Sequence, residues 1–155
     1  MSWPPPVLLS TLRLCSASQI VDVQFRVVLT RTEHTAEDAL FYRAYDLRLT
    51  RERALSLQRS WTVMHPIDEQ SPLFGMTPET MLEQEVELRA MVVGLDDTWM
   101  QTVHASHGYY APDIVWGMRH ADVLSEDPSG SVLMDLRKFH DLEPTVPTER
   151  FPYPR

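Results

Sequence analysis

The sequence predicts an all-β fold, an antiparallel β-sandwich with one short helix. Three observations lead there. Short runs of alternating polar and apolar residues, rich in Val, Thr, Phe, Tyr and Trp, recur along most of the chain. Clusters of Pro, Gly, Asp and Ser separate these runs as turns. A single stretch, Thr77-Pro78-Glu79, carries the signals of a helix start. The 155 residues amount to one domain, long enough to bury about 70% of the surface its unfolded chain exposes.

The elements follow in order. Val7 to Leu14 reads as a strand. Ile20 to Arg31 alternates, with Ile20, Asp22, Gln24, Arg26 and Val28 on one face and Val21, Val23, Phe25, Val27 and Leu29 on the other, so Asp22 lies opposite an apolar face. Leu40 to Leu49 repeats the pattern, with Phe41, Arg43, Tyr45, Leu47 and Leu49 on one side. Leu55 to His65 is a further run, closed by Pro66, which has no amide to give a ladder. After the turn-like Ser71-Pro72-Leu73-Phe74-Gly75 comes the helix, Pro78 to about Gln84. Thr77 caps it, Pro78 needs no amide partner at the first helical position, and Glu79 suits the positive helix end. Strand character returns in Val86 to Gly94, Trp99 to Ser106, Asp113 to Gly117, His120 to Leu124 and Val132 to Leu136. Glu126-Asp127-Pro128-Ser129-Gly130 makes a hairpin turn between the last two. From Glu143 four prolines in thirteen residues predict a loose tail.

Composition narrows the function classes. Asp and Glu outnumber Lys and Arg by 22 to 14, a net charge of -8, which argues against binding nucleic acid or anionic lipid. No apolar run approaches the ~18 residues of a spanning helix, and Met1-Ser2-Trp3-Pro4-Pro5-Pro6 lacks the basic and apolar regions of a signal peptide. The chain as given therefore reads as soluble. The lone Cys15 has no partner for an internal disulfide. The absence of Asn and the predominance of Arg over Lys fit a GC-rich coding bias.

Chemistry-bearing patterns are sparse. His104 and His107 have the H-x-x-H spacing of metal ligands on a helix, but they stand in a strand, where positions three apart face opposite ways. The pairs Asp68-Glu69 and Asp96-Asp97 lack the spacing of a calcium loop. There is no G-x-S-x-G elbow, no phosphate-cradling glycine loop and no signal of an activated Cys15. The residues give no support for an enzyme, a metal site or a cofactor.

One set of residues is specific. Ser60 to Glu69 (SWTVMHPIDE) and Ser71 to Glu79 (SPLFGMTPE) closely resemble the cytoplasmic C-terminal domain of prokaryotic inward-rectifier potassium channels. So do Gln101 to His107 (QTVHASH), Asp113 to Gly117 (DIVWG) and Asp135 to Asp141 (DLRKFHD), the last resembling the closing strand of that domain. The matches run in order over most of Phe25 to Glu143.

The resemblance implies an immunoglobulin-like β-sandwich, four copies of which form a homotetrameric vestibule below a membrane pore and extend the path of K+ into the cytoplasm. It implies that Asp22 is a pore-facing acid attracting Mg2+ and polyamines, with Glu52 as a second pore acid. Leu95 to Met100 matches the apical constriction loop, with Leu95, Asp97 and Met100 as its key positions. Residues 1–19 form a degraded or truncated N-terminal strand region, 20–142 the channel-type sandwich, and 143–155 the loose tail. On this reading the chain sits at the cytoplasmic face of the inner membrane, couples cytoplasmic signals to the gate and contacts a pore domain that it does not itself contain.

Departures from the family pattern support an alternative, a free-standing soluble binding module without ion conduction. The potassium filter and both membrane helices are missing, Arg13 to Ser18 replaces an Arg-x-Ala-Asn-x-Arg pattern, and Ser106 stands where an Arg is usual.

Overall fold

The computed structural model describes residues 7–13, 19–57, 60–126 and 128–145. Cys15, most of the Arg13 to Ser18 stretch and residues 146–155 lie outside the described residues. The elements are β1 Val7–Arg13, β2 Ile20–His34, β3 Leu40–Asp46, β4 Arg53–Leu57, β5 Ser60–Pro66, α1 Pro78–Glu83, β6 Glu87–Asp96, β7 Gln101–Tyr110, β8 Met118–His120, β9 Leu124–Glu126, β10 Val132–Met134 and β11 Leu142–Pro144. This is the all-β sandwich that the strand pattern predicts, with its one short helix.

β2 organises the larger sheet. One of its edges pairs with β6, and the other is shared by β4 at its start and β3 at its end. β7 pairs with β6 and completes five antiparallel strands. Alternation sends Val23, Phe25, Val27 and Leu29 inward, where they meet Leu88 and Ala90 of β6 and Val63 of β5. Burying each of the larger of these side chains stabilises the fold by about 1.5–3 kcal/mol. The β1–β5 ribbon supplies the facing layer, and Trp61 of β5 stacks on Phe25 of β2 with ring centroids 5.3 Å apart and planes 4° from parallel. The Arg51 guanidinium covers the ring of Trp61, 4.6 Å from its centroid.

The helix forms as its sequence dictates. Thr77 Oγ1 accepts the Thr80 amide and Thr80 Oγ1 accepts the Thr77 amide, a capping box in which threonine takes the place of the usual Glu. Met81 anchors it among Leu73, Met76 and Val86, all buried.

Several expectations are corrected. Leu55 to His65 is not one run: β4 pairs with β2 and β5 with β1, so the chain changes sheets between them. Asp113 to Gly117 is not a strand, because the Asp113 carboxylate accepts the Tyr110 amide and closes a 3-10 turn over Ala111–Asp113, after which Gly117 takes a positive φ of 67°. Asp135 to Asp141 is a capped 3-10 helix, Leu136–His140, and the closing strand is β11. That strand carries the paired structure through Glu143 and Pro144, past the expected start of the loose tail. Phe41 is exposed, since β3 lies at the rim of the sheet with only β2 beside it; Leu47 and Leu49 reach the core from beyond its end.

Candidate functional site

The start of β2 is built around a β-bulge. Val21 lies opposite Leu95 of β6, but the next registered pair is Gln24 with Val93, so Asp22 and Val23 together face Gly94. Asp22 adopts φ 48°, the left-handed conformation that short polar residues tolerate best. The extra residue resets the alternation. Ile20 and Val23 both point into the core, and Asp22 is turned out to solvent. Ile20 therefore belongs to the core and not to the Asp22 face, and Val21 is only half-buried, reversing the expectation for those two residues.

Gly94 is the counterpart of the bulge. A Cβ at this position would come 2.5 Å from Ile20 Cγ2 and 3.3 Å from the Val21 carbonyl. The glycine admits the bulge, and the bulge positions the acid. On the other edge of β2, Val21 pairs with Ser56 and Val23 with Ala54, which sets Asp22 opposite Leu55 of β4, a leucine that is 92% exposed.

The same end of the sheet carries the turn between β6 and β7. Asp96 is buried, and its Oδ1 accepts the amides of Thr98 at 2.9 Å and Trp99 at 3.0 Å. The Asp97 amide donates to the Gln19 carbonyl at 3.1 Å, tying the turn to the entry of β2. Met100 has φ 53° and closes the turn. Met100 and Trp99 are 70% and 72% exposed, two large apolar residues in the turn that follows β6. Leu95 is half-buried one residue before the anchor Asp96, and the exposed Asp97 accepts the Thr98 hydroxyl at 3.3 Å.

The expected site residues thus fall into two groups. Asp22, Leu95, Asp97 and Met100 share one end of the β2–β6–β7 sheet. Glu52 is set apart: its carbonyl accepts the Phe25 amide at 2.8 Å, and the strand residues beside Asp22 on the exposed face of β4 are Leu55 and Arg53. Neither the Asp22 nor the Glu52 carboxylate has an ion-pair partner among the described residues. Other acids do. The Arg26 guanidinium donates to Asp46 at 2.6 Å and 2.8 Å and holds its carboxyl below the usual carboxylate range. Asp22 therefore heads a solvent face of β2, with Gln24 and Arg26 following it.

His104 and His107 are exposed on β7, opposite Val93 and Ala90 respectively, and do not converge. Ser106 lies between them, opposite Met91. Sequence reasoning did not find Gly94, Leu55 or Trp99. A glycine inside a strand is a known mark of a bulge or close approach, and that signal was available at Gly94. Nothing in the sequence distinguishes an exposed leucine at Leu55.

The profile of the inward rectifier potassium channel C-terminal domain matches residues 9–152. The chain belongs to that family. It is 39% identical over 137 residues to the inward rectifier potassium channel Kirbac3.1 of Paramagnetospirillum magnetotacticum, a match covering 88% of this chain and 46% of the relative. It is 32% identical over 96 residues to the human inward rectifier potassium channel 4, covering 62% of this chain and 21% of that protein. Over 79 residues it is 33% identical to the mouse ATP-sensitive inward rectifier potassium channel 12, covering 51% and 18%. The chain thus spans less than half the length of these relatives. Among its described residues no helix is long and apolar enough to cross a membrane. The family is one of channel domains, not of enzymes.

Proposed function

We propose that this chain is the cytoplasmic regulatory domain of an inward-rectifier potassium channel, four copies of which surround the K+ path below a membrane pore domain. In this assembly Asp22 lines the vestibule and Leu95, Asp97 and Met100 lie in its apical constriction. The observation that carries the reading is the bulge, which turns the Asp22 carboxylate, without an ion-pair partner among the described residues, out to solvent at the end of the sheet that also carries the turn with the exposed Trp99 and Met100.

The physics favours a cation trap. One carboxylate about 8 Å from a divalent ion contributes about 1 kcal/mol in water. A four-fold ring sums to several kcal/mol, reduced by salt screening, and rings of acids concentrate cations and exclude anions. Glu52, set back from Asp22, contributes less. The bound species are Mg2+ and polyamines in passage, and the domain needs no resident cofactor.

The test is electrical. In the channel that carries this domain, Asp22→Asn is expected to weaken internal block by Mg2+ or spermine by about tenfold or more, with Glu52→Gln giving a smaller change. Unchanged block in Asp22→Asn removes the residue from the ion path. Sedimentation of the domain at high concentration is expected to show four times the protomer mass.

A further inference from the structure

His65 is the last residue but one of β5, followed by Pro66 and a turn that leads into α1. Its residue surface is 3% exposed. Nδ1 lies 2.7 Å from the carbonyl of Arg48, in the segment between β3 and β4. A carbonyl only accepts, so Nδ1 carries the proton. Nε2 lies 2.7 Å from Ser71 Oγ and, in that tautomer, accepts the serine hydroxyl. Ser71 Oγ in turn accepts the Leu73 amide at 3.1 Å. One neutral ring thus joins three segments: the approach to β4, the end of β5 and the turn over residues 68–75.

Among the described residues, two charged side chains act on this ring. Arg48 comes from the β3–β4 segment and Asp68 from the turn, and the two pair with each other at 2.6 Å. Leu8 of β1 is the cross-strand neighbour. Ser71 and Leu73 are buried, so the turn has no water-facing alternative for the hydrogen bonds of its serine. Adding a proton at Nε2 makes both ring nitrogens donors. The Ser71 hydroxyl then has to turn its own hydrogen away into the buried turn, while a positive ring enters an apolar layer containing Val63, Ile67 and Leu73.

We propose that His65 is an acid-released latch: neutral, it fastens the 68–75 turn to the segment ahead of β4, and protonation frees that turn. Burial holds the ring's proton affinity below the ordinary histidine value of 6.5, against the hydrogen bond to the Arg48 carbonyl and the Asp68 charge, which both raise it, while the Arg48 charge lowers it further. The sign follows from linkage. A neutral ring in the fold and a basic one in the opened turn leave the latch fully closed above about pH 6.5, and it weakens as the pH falls from there toward the lower value in the fold. The latch belongs to the fold of a single chain and does not depend on the channel reading, so its failure leaves the Asp22 block experiment untouched.

The test is hydrogen exchange on the intact chain, corrected for the intrinsic effect of pH, together with 15N spectra of the histidines. At pH 7.5 the His65 ring is expected to show the neutral, Nδ1-protonated tautomer. Between pH 7.5 and 5.5 the amides of Ser71 and of residues 73–76 are expected to exchange several-fold faster, while those of β6 stay protected. In His65→Gln this acid response is expected to disappear. If that variant does not fold, Ser71→Ala keeps the ring and its bond to Arg48, and exchange in the turn is expected to be fast already at pH 7.5 and flat with pH. The proposal is overturned by an acid-insensitive turn in the parent chain, or by the same acid response in either variant.

Discussion

The sheet around β2 and the segment from β8 to β11 are both antiparallel and hydrogen-bonded, yet they are held together differently. β2, β6 and β7 run for fifteen, ten and ten residues; the inward residues of β2 and β6 belong to one core, against which Val103 and Tyr109 of β7 pack. Among the described residues, the four strands from Met118 onward are three residues each and pair in twos, β8 with β11 and β9 with β10. The first region draws its stability from contacts between residues far apart in sequence. Among the described contacts of the second are an exposed ion pair, Arg119–Glu143 at 2.7 Å, and a local cap, the Asp135 carboxylate accepting the Arg137 amide. The lesson concerns placement. The acid and its turn are anchored in the region that resists deformation, so their spacing is set by the core and not by a loop.

The sharpest way to break this comparison is to truncate a leucine in each region. Leu29 of β2 is 0% exposed, and Leu29→Ala is expected to lower stability in urea unfolding by about 3–4 kcal/mol. Leu133 of β10 is exposed, and Leu133→Ala is expected to cost less than about 0.5 kcal/mol. Equal losses would mean that the β9–β10 ribbon holds a core of its own.

Glycines give a finer contrast. Gly94→Ala forces a methyl against Ile20 and the Val21 carbonyl, with an expected loss of about 1–3 kcal/mol. Gly130, in the β9–β10 turn, has φ 80° and open space around it. Gly130→Ala is therefore expected to cost about 1 kcal/mol through backbone strain alone, and Gly130→Asn less. At Gly94 the larger asparagine is expected to cost more than alanine, and calorimetry on the four variants reads both orders.

The smallest effect expected is one of pH. Glu33 accepts the Tyr45 hydroxyl at 2.6 Å and the guanidinia of Arg31 and Arg43, and its carboxyl is held down to about 2. Its contribution to stability is present above the ordinary value of 4.5 and lost as the pH falls from there toward 2. Asp135 is also held at about 2, but its partner Arg137 lies two residues away and stays near it in the unfolded chain. Glu33→Gln is expected to flatten acid unfolding between pH 4.5 and 2, and Asp135→Asn to change it less. The reverse order would show that the Glu33 cluster persists after unfolding.

The fold was largely legible where the chain buries one face. Val23, Phe25, Val27 and Leu29 announce their side of the sheet by alternation, and Thr77-Pro78-Glu79 announces the helix through its caps. It was poorly legible after Tyr110, where the strands are too short to show a period and Asp113 and Asp135 spend their carboxylates on turns. The site was half legible. Asp22 and the Leu95 to Met100 turn stood out by resemblance, while the link between them did not.

By itself the sequence determined the sandwich class, the helix, the inward faces of the long strands and the family, because these follow from local periodicity, capping and residue identity. Tertiary structure alone decided the shift of register at Asp22 and Val23, the close approach of Gly94 to Ile20, the separation of Glu52 from Asp22 and the clasp of His65 between Arg48 and Ser71. Each depends on which strands become neighbours. Alternation repeats every two residues and carries no information about partners, so a one-residue bulge that reverses the faces of Ile20 and Val21 is specified only when β6 lies alongside β2.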